Sequence, residues 1–290
     1  MGGTKIEIAA LDPERRVLER RRVATPAGDY EATLMAIAAL VRETETSLGA
    51  QASIGVATPG SLSPASGLIR NANSACLNGR PLKQDLERVL GRPVRIANDA
   101  NCFAHSEAVD GVAAGAGVVF GVILGTGVGG GVVVDGNVLA GTNGIAGEWG
   151  HNPLPAMRGN ESPGPQCYCG RFGCVETFLS GPGLAADHRR ISGVTLSVEE
   201  IVARASRGDP VCEATLARYQ ERLARALAAV INLLDPDVIV LGGGLSNLDR
   251  LYENVPRLWT GSIFSDVVRT RLLKNAHGDS SGVRGAAWLW

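Results

Sequence analysis

The chain has 290 residues, with 28 basic and 29 acidic residues, 38 glycines and six cysteines. This length suggests two domains, and a net charge of −1 leaves no excess of cations for a nucleic-acid backbone. No segment reaches the ~18 consecutive apolar residues of a membrane span, and no secretory signal is visible. We therefore expect a cytoplasmic protein that binds neither nucleic acid nor membrane.

The first 110 or so residues alternate between strand and helix patterns, as in a mixed α/β protein. A turn at Asp12-Pro13 joins the first two strands, and Gly49 ends the first helix. The predicted strands are 6–11, 17–24, 53–57 and 94–97, and the predicted helices are 30–46, 81–90 and 99–109.

The second half begins with an apolar strand at 118–124 and a glycine-rich turn. Residues 125–130 satisfy GxGxxG, but the β-branched run at 132–135 predicts another strand, whereas a dinucleotide-binding turn leads into a helix. A glycine hairpin whose amides approach an anion fits better, and an ordinary hairpin is the alternative. A helix at 210–234 and a strand at 238–241 follow, and no P-loop motif occurs.

His151 and three clustered cysteines have the composition of a metal site. The spacing H-x15-C-x-C-x4-C brings together His151, Cys167, Cys169 and Cys174. One imidazole and three thiolates make a closed tetrahedral set, which predicts a structural zinc ion. Unpaired thiols in a loop are the alternative. The remaining cysteines, Cys76, Cys102 and Cys212, are interpreted as small buried hydrophobic residues.

The motifs together resemble the ROK family of sugar kinases, closest to its bacterial fructokinase (manno-fructokinase) branch. The resemblance covers nearly the whole chain. Its matching pieces are Gly2-Gly3-Thr4-Lys5, Ala57-Thr58-Pro59-Gly60, Asn71-Ala72-Asn73, Ala97-Asn98-Asp99-Ala100-Asn101, the segment 124–131, Glu148-Trp149-Gly150-His151, the cysteine cluster with Glu176, the segment 241–244, and the stretch from His277 to Trp288.

The resemblance implies an actin-like, RNase H-like α/β fold of two domains. The smaller domain is 1–109, completed by a C-terminal helix at 283–290, and the larger domain is 110–282 with the zinc-binding loop. ATP with Mg²⁺ and a hexose are the implied ligands, and a homodimer is the expected assembly.

The resemblance also assigns roles to single residues. Asp99 is the implied general base, although an aspartate so placed could instead cap the helix that follows it. Glu148 and Glu176 could likewise be solvated carboxylates, and the glycines at 242–244 could mark only a sharp turn. The implied sugar contacts are Asn98, Glu148, His151 and Glu176, with Gly60 and Asn73 as weaker candidates. The implied nucleotide contacts are Gly2, Gly3, Thr4, Lys5, Gly125, Thr126, Gly127, Gly129, Gly242, Gly243 and Gly244.

The sequence departs from the family at its start. ROK kinases begin with a strand that ends in Asp-x-Gly-Gly-Thr, and Met1 stands at the x position here. We expect the first sheet to lack this strand, which would leave buried neighbours exposed and strand edges unpaired. A longer natural chain is the corresponding expectation.

The expected function is ATP-dependent phosphorylation of D-fructose at the 6-hydroxyl, with D-mannose as a second substrate. An N-acetylglucosamine or glucose kinase of the same family is the alternative enzyme. A sugar-responsive ROK regulator without its DNA-binding domain is the alternative from another functional class.

Overall fold

The computed structural model describes residues 1–2, 4–278 and 281–290. The chain forms two compact units, which are residues 1–115, 131–146 and 279–290, and residues 116–130 and 147–278. The segment 131–146 therefore groups with the first unit, whereas the sequence placed it in the larger domain. Gly131 explains part of this, because a Cβ there would lie 2.5 Å from the Ala100 carbonyl oxygen, so the two backbones pack closely.

The elements follow the predicted alternation of strands and helices. In chain order they are β1 (Lys5–Leu11), β2 (Val17–Ala24), α1 (Tyr30–Leu48), β3 (Ile54–Thr58), β4 (Ser61–Leu62), β5 (Ile69–Arg70), α2 (Leu82–Leu90), β6 (Val94–Asn98), α3 (Asp99–Val109), β7 (Val118–Leu124), β8 (Val128–Val134), β9 (Asn137–Val138), α4 (Val175–Leu179), α5 (Gly181–Ser192), α6 (Val198–Ser206), α7 (Pro210–Leu234), β10 (Val238–Gly242), α8 (Arg250–Trp259), β11 (Arg271–Lys274) and α9 (Ser281–Ala287).

Local sequence signals set the ends of the long helices. The Asp29 side chain accepts a hydrogen bond from the Ala32 amide at the start of α1, and Gly49, with φ +64°, ends that helix. In α7 the Asp209 side chain accepts from two backbone amides and Pro210 occupies the first turn. These caps explain why the predicted bounds of α7 agree with the structure.

The strands of the first unit form small separate sheets. Strand β1 pairs antiparallel with β2, and β3 pairs parallel with β6. A cavity of about 570 Å³ opens beside β1 and β3, and its apolar lining includes Ile8, Val41 and Val56. Among the described residues, β1 and β3 lie in separate two-stranded sheets and are not neighbours in one sheet.

Helix α9 packs against α3 and β3 through glycines. A Cβ at Gly285 would lie 1.7 Å from the Cys102 carbonyl oxygen, and a Cβ at Gly55 would lie 1.7 Å from the Ala286 carbonyl oxygen. The prediction placed this helix at 283–290, but it spans Ser281–Ala287 among the described residues. Its small residues allow backbone to approach backbone, so that it completes the first unit.

A five-stranded sheet has the strand order β11-β10-β7-β8-β9, and its strands β7, β10 and β11 belong to the second unit. Strand β8 begins at Val128, so Gly129, Gly130 and Gly131 lie in the strand. The sequence placed them in a turn and began the strand at 132. Close packing explains the difference, because a Cβ at Gly130 would lie 2.7 Å from the Gly147 carbonyl oxygen.

Buried charges hold the loop that follows His151 onto α7. Glu161 accepts hydrogen bonds from Arg222 Nε (2.7 Å) and Arg225 Nη2 (2.9 Å), and Arg225 also donates to the Ala156 carbonyl oxygen at 2.6 Å. Burial raises the pKa of Glu161, but these guanidinium groups outweigh it and the pKa is lowered overall. The carboxylate is therefore charged and paired.

No helix among the described residues combines the length and the apolar character that crossing a membrane would require.

We predict that Gly285→Ala destabilises the first unit by about 1–3 kcal/mol, because the new methyl group would overlap the Cys102 carbonyl. The matched control is Gly282→Ala in the same helix, where a Cβ meets nothing within 4 Å and alanine favours the helix by up to about 1 kcal/mol. Urea unfolding of both variants measures the difference. Equal stability of the two variants would contradict this packing.

Candidate active site and metal centre

Asn98 and Asp99 lie where strand β6 passes directly into helix α3. The Asn98 side chain accepts hydrogen bonds from the amides of Ala100 (2.8 Å) and Asn101 (3.4 Å) and so caps the helix. Asp99 Oδ1 also accepts from the Ala100 amide at 2.8 Å. The cap that the sequence offered as an alternative role for Asp99 is therefore provided chiefly by its neighbour.

Asp99 borders the same cavity as three of the predicted phosphate contacts. Gly2, Thr4 and Lys5 line that cavity with Asp99, and the fourth predicted contact of this turn, Gly3, lies outside the described residues. Asp99 is an exposed residue, but the protein packed around its carboxyl group desolvates it and raises its pKa, although the Ala100 amide and the chain's amino terminus partly oppose the shift. A raised pKa suits a carboxylate that must accept a proton.

Gly60 is brought next to Asn98, while Asn73 is placed only near it. Asn98 Nδ2 donates to the Gly60 carbonyl oxygen at 3.1 Å. Gly60 has φ +72°, and a Cβ there would lie 2.7 Å from the Ala72 amide nitrogen, so the two loops touch just before Asn73. Asn78, which the sequence interpretation missed, fixes this loop by two 2.9 Å hydrogen bonds to the Ala72 backbone. An Asn-Gly pair is a turn signal that could have identified it.

The four predicted metal ligands converge in the second unit. The ligand atoms of His151, Cys167, Cys169 and Cys174 all lie within 4.8 Å of one another. Cys167 Sγ is 3.6 Å from His151 Nδ1, and the sulfurs of Cys169 and Cys174 are also 3.6 Å apart. Zn–S bonds of about 2.3 Å and Zn–N bonds of about 2.0 Å around a tetrahedral ion give separations of this size. The residues therefore fit zinc.

The surroundings of Cys169 favour a thiolate. Burial raises the pKa of its thiol, but hydrogen bonds from the backbone and side chain of Arg171 outweigh this and lower the pKa to about 6. Metal ligands of this kind bind as thiolates, so Arg171 assists the site without being one of its ligands.

The second nitrogen of His151 meets a residue that the sequence interpretation missed. His151 Nε2 lies 2.9 Å from the Tyr168 hydroxyl, and the two rings pack edge to face. Burial and the charges of Glu176, Cys167 and Glu148 raise the pKa of Tyr168 to about 12. Of the predicted sugar contacts of this unit, His151 therefore contacts Tyr168, an exposed residue. The position of Tyr168 between two cysteines of the cluster was the available signal.

Val128 joins these residues to the glycine turn. Its amide donates to Glu176 Oε2 at 2.9 Å, and a Cβ at Gly150 would lie 2.1 Å from its carbonyl oxygen. Trp149 Nε1 donates to the Gly129 carbonyl oxygen at 3.0 Å. The segment 148–151 therefore packs directly on the start of β8, although Gly129 lies in the strand and not in the predicted turn.

The glycines after β10 are partly explained by packing. Gly242 belongs to the strand. Gly243 has φ +80°, and a Cβ there would lie 2.4 Å from the Leu124 carbonyl oxygen. Gly244 begins a short 3₁₀ turn with nothing within 4 Å of its Cβ position. Gly244 therefore has open space beside it, as a contact with adenosine would require.

The sequence pattern of the ROK family matches residues 1–290, and the chain belongs to this family. Its curated relatives include an N-acetyl-D-glucosamine kinase of Yersinia pseudotuberculosis, which is 40% identical over 100% of this chain and 96% of the relative.

Solved structures agree with this assignment and with the actin-like fold expected from the sequence. A ROK hexokinase from Thermus thermophilus is 31% identical, with a TM-score of 0.88 over 99% of this chain and 94% of that one. A ROK glucokinase from Streptomyces griseus, solved with glucose and AMPPNP, is 28% identical, with a TM-score of 0.78 over 100% of this chain and 96% of that one.

We predict that the purified protein carries about one zinc ion per chain, because four ligands of the preferred type meet at one point. Cys169→Ser should lose most of this zinc and raise hydrogen exchange across residues 151–174. The control, Cys76→Ser, changes a cysteine outside the cluster. Metal analysis by mass spectrometry and exchange measurements provide the readouts. Full zinc retention in Cys169→Ser would exclude it as a ligand.

Proposed function

We propose that the protein is an ATP-dependent N-acetyl-D-glucosamine kinase that phosphorylates the sugar at its 6-hydroxyl. The observation that carries this proposal is 40% identity to an N-acetyl-D-glucosamine kinase over the whole chain. Fructose, which the motifs favoured, is not supported by the curated relatives, eight of which are N-acetyl-D-glucosamine kinases. N-acetyl-D-glucosamine, the alternative substrate expected from the sequence, is therefore the proposed substrate.

Asp99 is the proposed general base. Phosphoryl transfer requires an aligned hydroxyl, a proton acceptor and neutralisation of phosphate charge, with little covalent chemistry from the protein. The Asp99 carboxylate would accept the proton of the 6-hydroxyl as that oxygen attacks the γ-phosphorus of ATP. The cap made by Asn98 supports this role, because it holds the start of α3 in place beneath the base.

The sugar contacts are proposed in two groups. Asn98, Gly60 and Asn73 belong to the first unit, while Glu148, His151 and Glu176 belong to the second. Carboxylates and amides suit a sugar, because each hydroxyl both donates and accepts a hydrogen bond. Zinc, when bound to His151 and the cysteines, would supply a structural anchor for this loop and no part of the reaction.

MgATP is the proposed phosphoryl donor. Among the described residues, Gly2, Thr4, Lys5 and the turn at 125–127 are the proposed phosphate contacts, and Gly244 is the proposed adenosine contact. Backbone amides without intervening side chains suit phosphate oxygens. A homodimer remains the predicted assembly.

We predict measurable ADP release with N-acetylglucosamine and MgATP, and much weaker turnover with fructose, mannose and glucose. The measurement is kcat/KM for each sugar under the same conditions, with sugar-free protein as the control for ATP hydrolysis. A site that hydrogen-bonds the acetamido group would leave buried polar groups unpaired with the other sugars, which is the physical basis of the preference. Preferred turnover of fructose would reject the proposed substrate.

We predict that turnover falls on acidification at a pH above the ordinary aspartate pKa of about 3.9. Desolvation of its carboxyl group raises the pKa of Asp99, so its basic form is lost at a higher pH than in a fully solvated aspartate. Asp99→Asn should lower kcat at least about 100-fold while sugar binding remains detectable by calorimetry. Asp29→Asn is the matched control, since asparagine caps a helix equally well. Unchanged turnover in Asp99→Asn would exclude it as the base.

A further inference from the structure

One short segment holds the glycine turn at 125–127 from outside at both of its ends. Glu176 Oε2 accepts a hydrogen bond from the Val128 amide at 2.9 Å, and the Gly181 amide donates to the Gly125 carbonyl oxygen at 2.8 Å. These two contacts come from the start of α4 and the start of α5. The turn is therefore fixed by groups five residues apart in the chain.

The carboxylate of Glu176 lies on the turn itself. A Cβ at Gly127 would be 2.7 Å from Glu176 Oε2, so glycine at this position leaves the space that the carboxylate occupies. Glu176 is half-buried and follows Cys174, the first residue before α4 and one of the four metal ligands. The position of the Glu176 backbone is thus fixed by the neighbouring Cys174 and the metal cluster.

These contacts leave the central amides of the turn available. Gly125 donates to the Gly127 carbonyl oxygen at 3.0 Å, which closes the turn internally. Within the described part of the chain, the amides of Thr126 and Gly127 have no hydrogen-bond partner. An anion that bound them would find the backbone already in place.

We propose that Glu176 is a positioning residue for the nucleotide: its carboxylate holds the Val128 amide and so keeps the turn in the conformation that binds phosphate. This rests on the proposed function, which takes residues 125–127 as phosphate contacts, and it extends the sugar-binding role expected for Glu176. One carboxylate would then act on both substrates, on the sugar by contact and on ATP through the backbone of the turn.

The Glu176 carboxylate has two opposing effects on nucleotide binding, and the sign of the change on its removal tells them apart. A negative charge beside a phosphate site repels the phosphate, so removing it would tighten nucleotide binding if repulsion dominated. The hydrogen bond predicts the reverse, because a turn without its anchor must be ordered by the nucleotide. Glu176 accepts its hydrogen bond from the Val128 amide and leaves the amides of Thr126 and Gly127 available. This arrangement favours the anchoring effect over repulsion.

The test is isothermal titration of MgATP into the sugar-free holoenzyme, which removes any effect through sugar contact. Glu176→Ala should raise the Kd for MgATP about tenfold, the effect of losing one hydrogen bond to a charged group. Glu176→Gln keeps an acceptor at the same reach and should stay within about twofold of the unmodified protein. Glu176→Asp keeps the charge but shortens the reach, and should resemble Glu176→Ala.

The matched control is Glu199→Ala. Glu199 also follows a valine in the first turn of a helix of this unit, but it is exposed and lies on α6. The Kd of the Glu199→Ala variant for MgATP should equal that of the unmodified protein. Circular dichroism and zinc content of each variant establish that it is folded, and Glu176→Asp tests the proposal if Glu176→Ala does not fold.

The outcomes separate the two proposals. Unchanged or tighter MgATP binding in both Glu176→Ala and Glu176→Asp overturns the positioning role and leaves the proposed kinase function intact. Weakened binding in Glu176→Gln as well would assign the effect to charge and would also overturn it. Failure of the unmodified protein to bind MgATP overturns both proposals.

Discussion

The convergence of four metal-ligating side chains is the constraint on which the second unit's candidate site depends. His151, Cys167, Cys169 and Cys174 draw a loop of 24 residues to one point. The loop has few regular elements of its own, so a metal bond can replace the hydrophobic core that it lacks. Cys174 ends the loop and begins α4. The same constraint therefore sets the position of Glu176 two residues later.

The loop is fixed to the sheet by close contacts at glycines. Gly150 allows the segment containing Glu148 and His151 to lie against the Val128 carbonyl, and Gly127 allows the Glu176 carboxylate to lie against the turn. In both cases a side chain would occupy the space that the contact needs. The high glycine content, 38 of 290 residues, thus serves packing as much as it serves phosphate binding.

In the first unit, the corresponding feature is a carboxylate at a strand-to-helix junction. Asn98 satisfies the amides at the start of α3, so the neighbouring Asp99 is held at the cavity in a partly desolvated setting. Desolvation of the carboxyl group raises its pKa. Capping and the proposed proton acceptance thus fall to adjacent residues with different side chains, because an amide caps without titrating and a carboxylate titrates.

The sequence motifs identified the family but not the sugar. Glycine turns, the histidine motif and the cysteine cluster depend on local chemistry, which a linear pattern records. The choice among sugars depends on pocket shape, which is the sum of many residues with no motif. Similarity over the whole chain to N-acetyl-D-glucosamine kinases therefore bears on the substrate more directly than the fructokinase-like segments do.

By itself the sequence determined the elements with strong local signals and the four residues of the candidate metal cluster. The bounds of α3, β7 and α7 agree with the prediction because caps, apolar runs and proline act within a few residues. Tertiary structure decided the rest. It placed residues 131–146 in the first unit, extended β8 through its glycines, set Tyr168 against His151 and buried Glu161 between two arginines. Each of these depends on residues distant in the chain, whose approach no local pattern specifies.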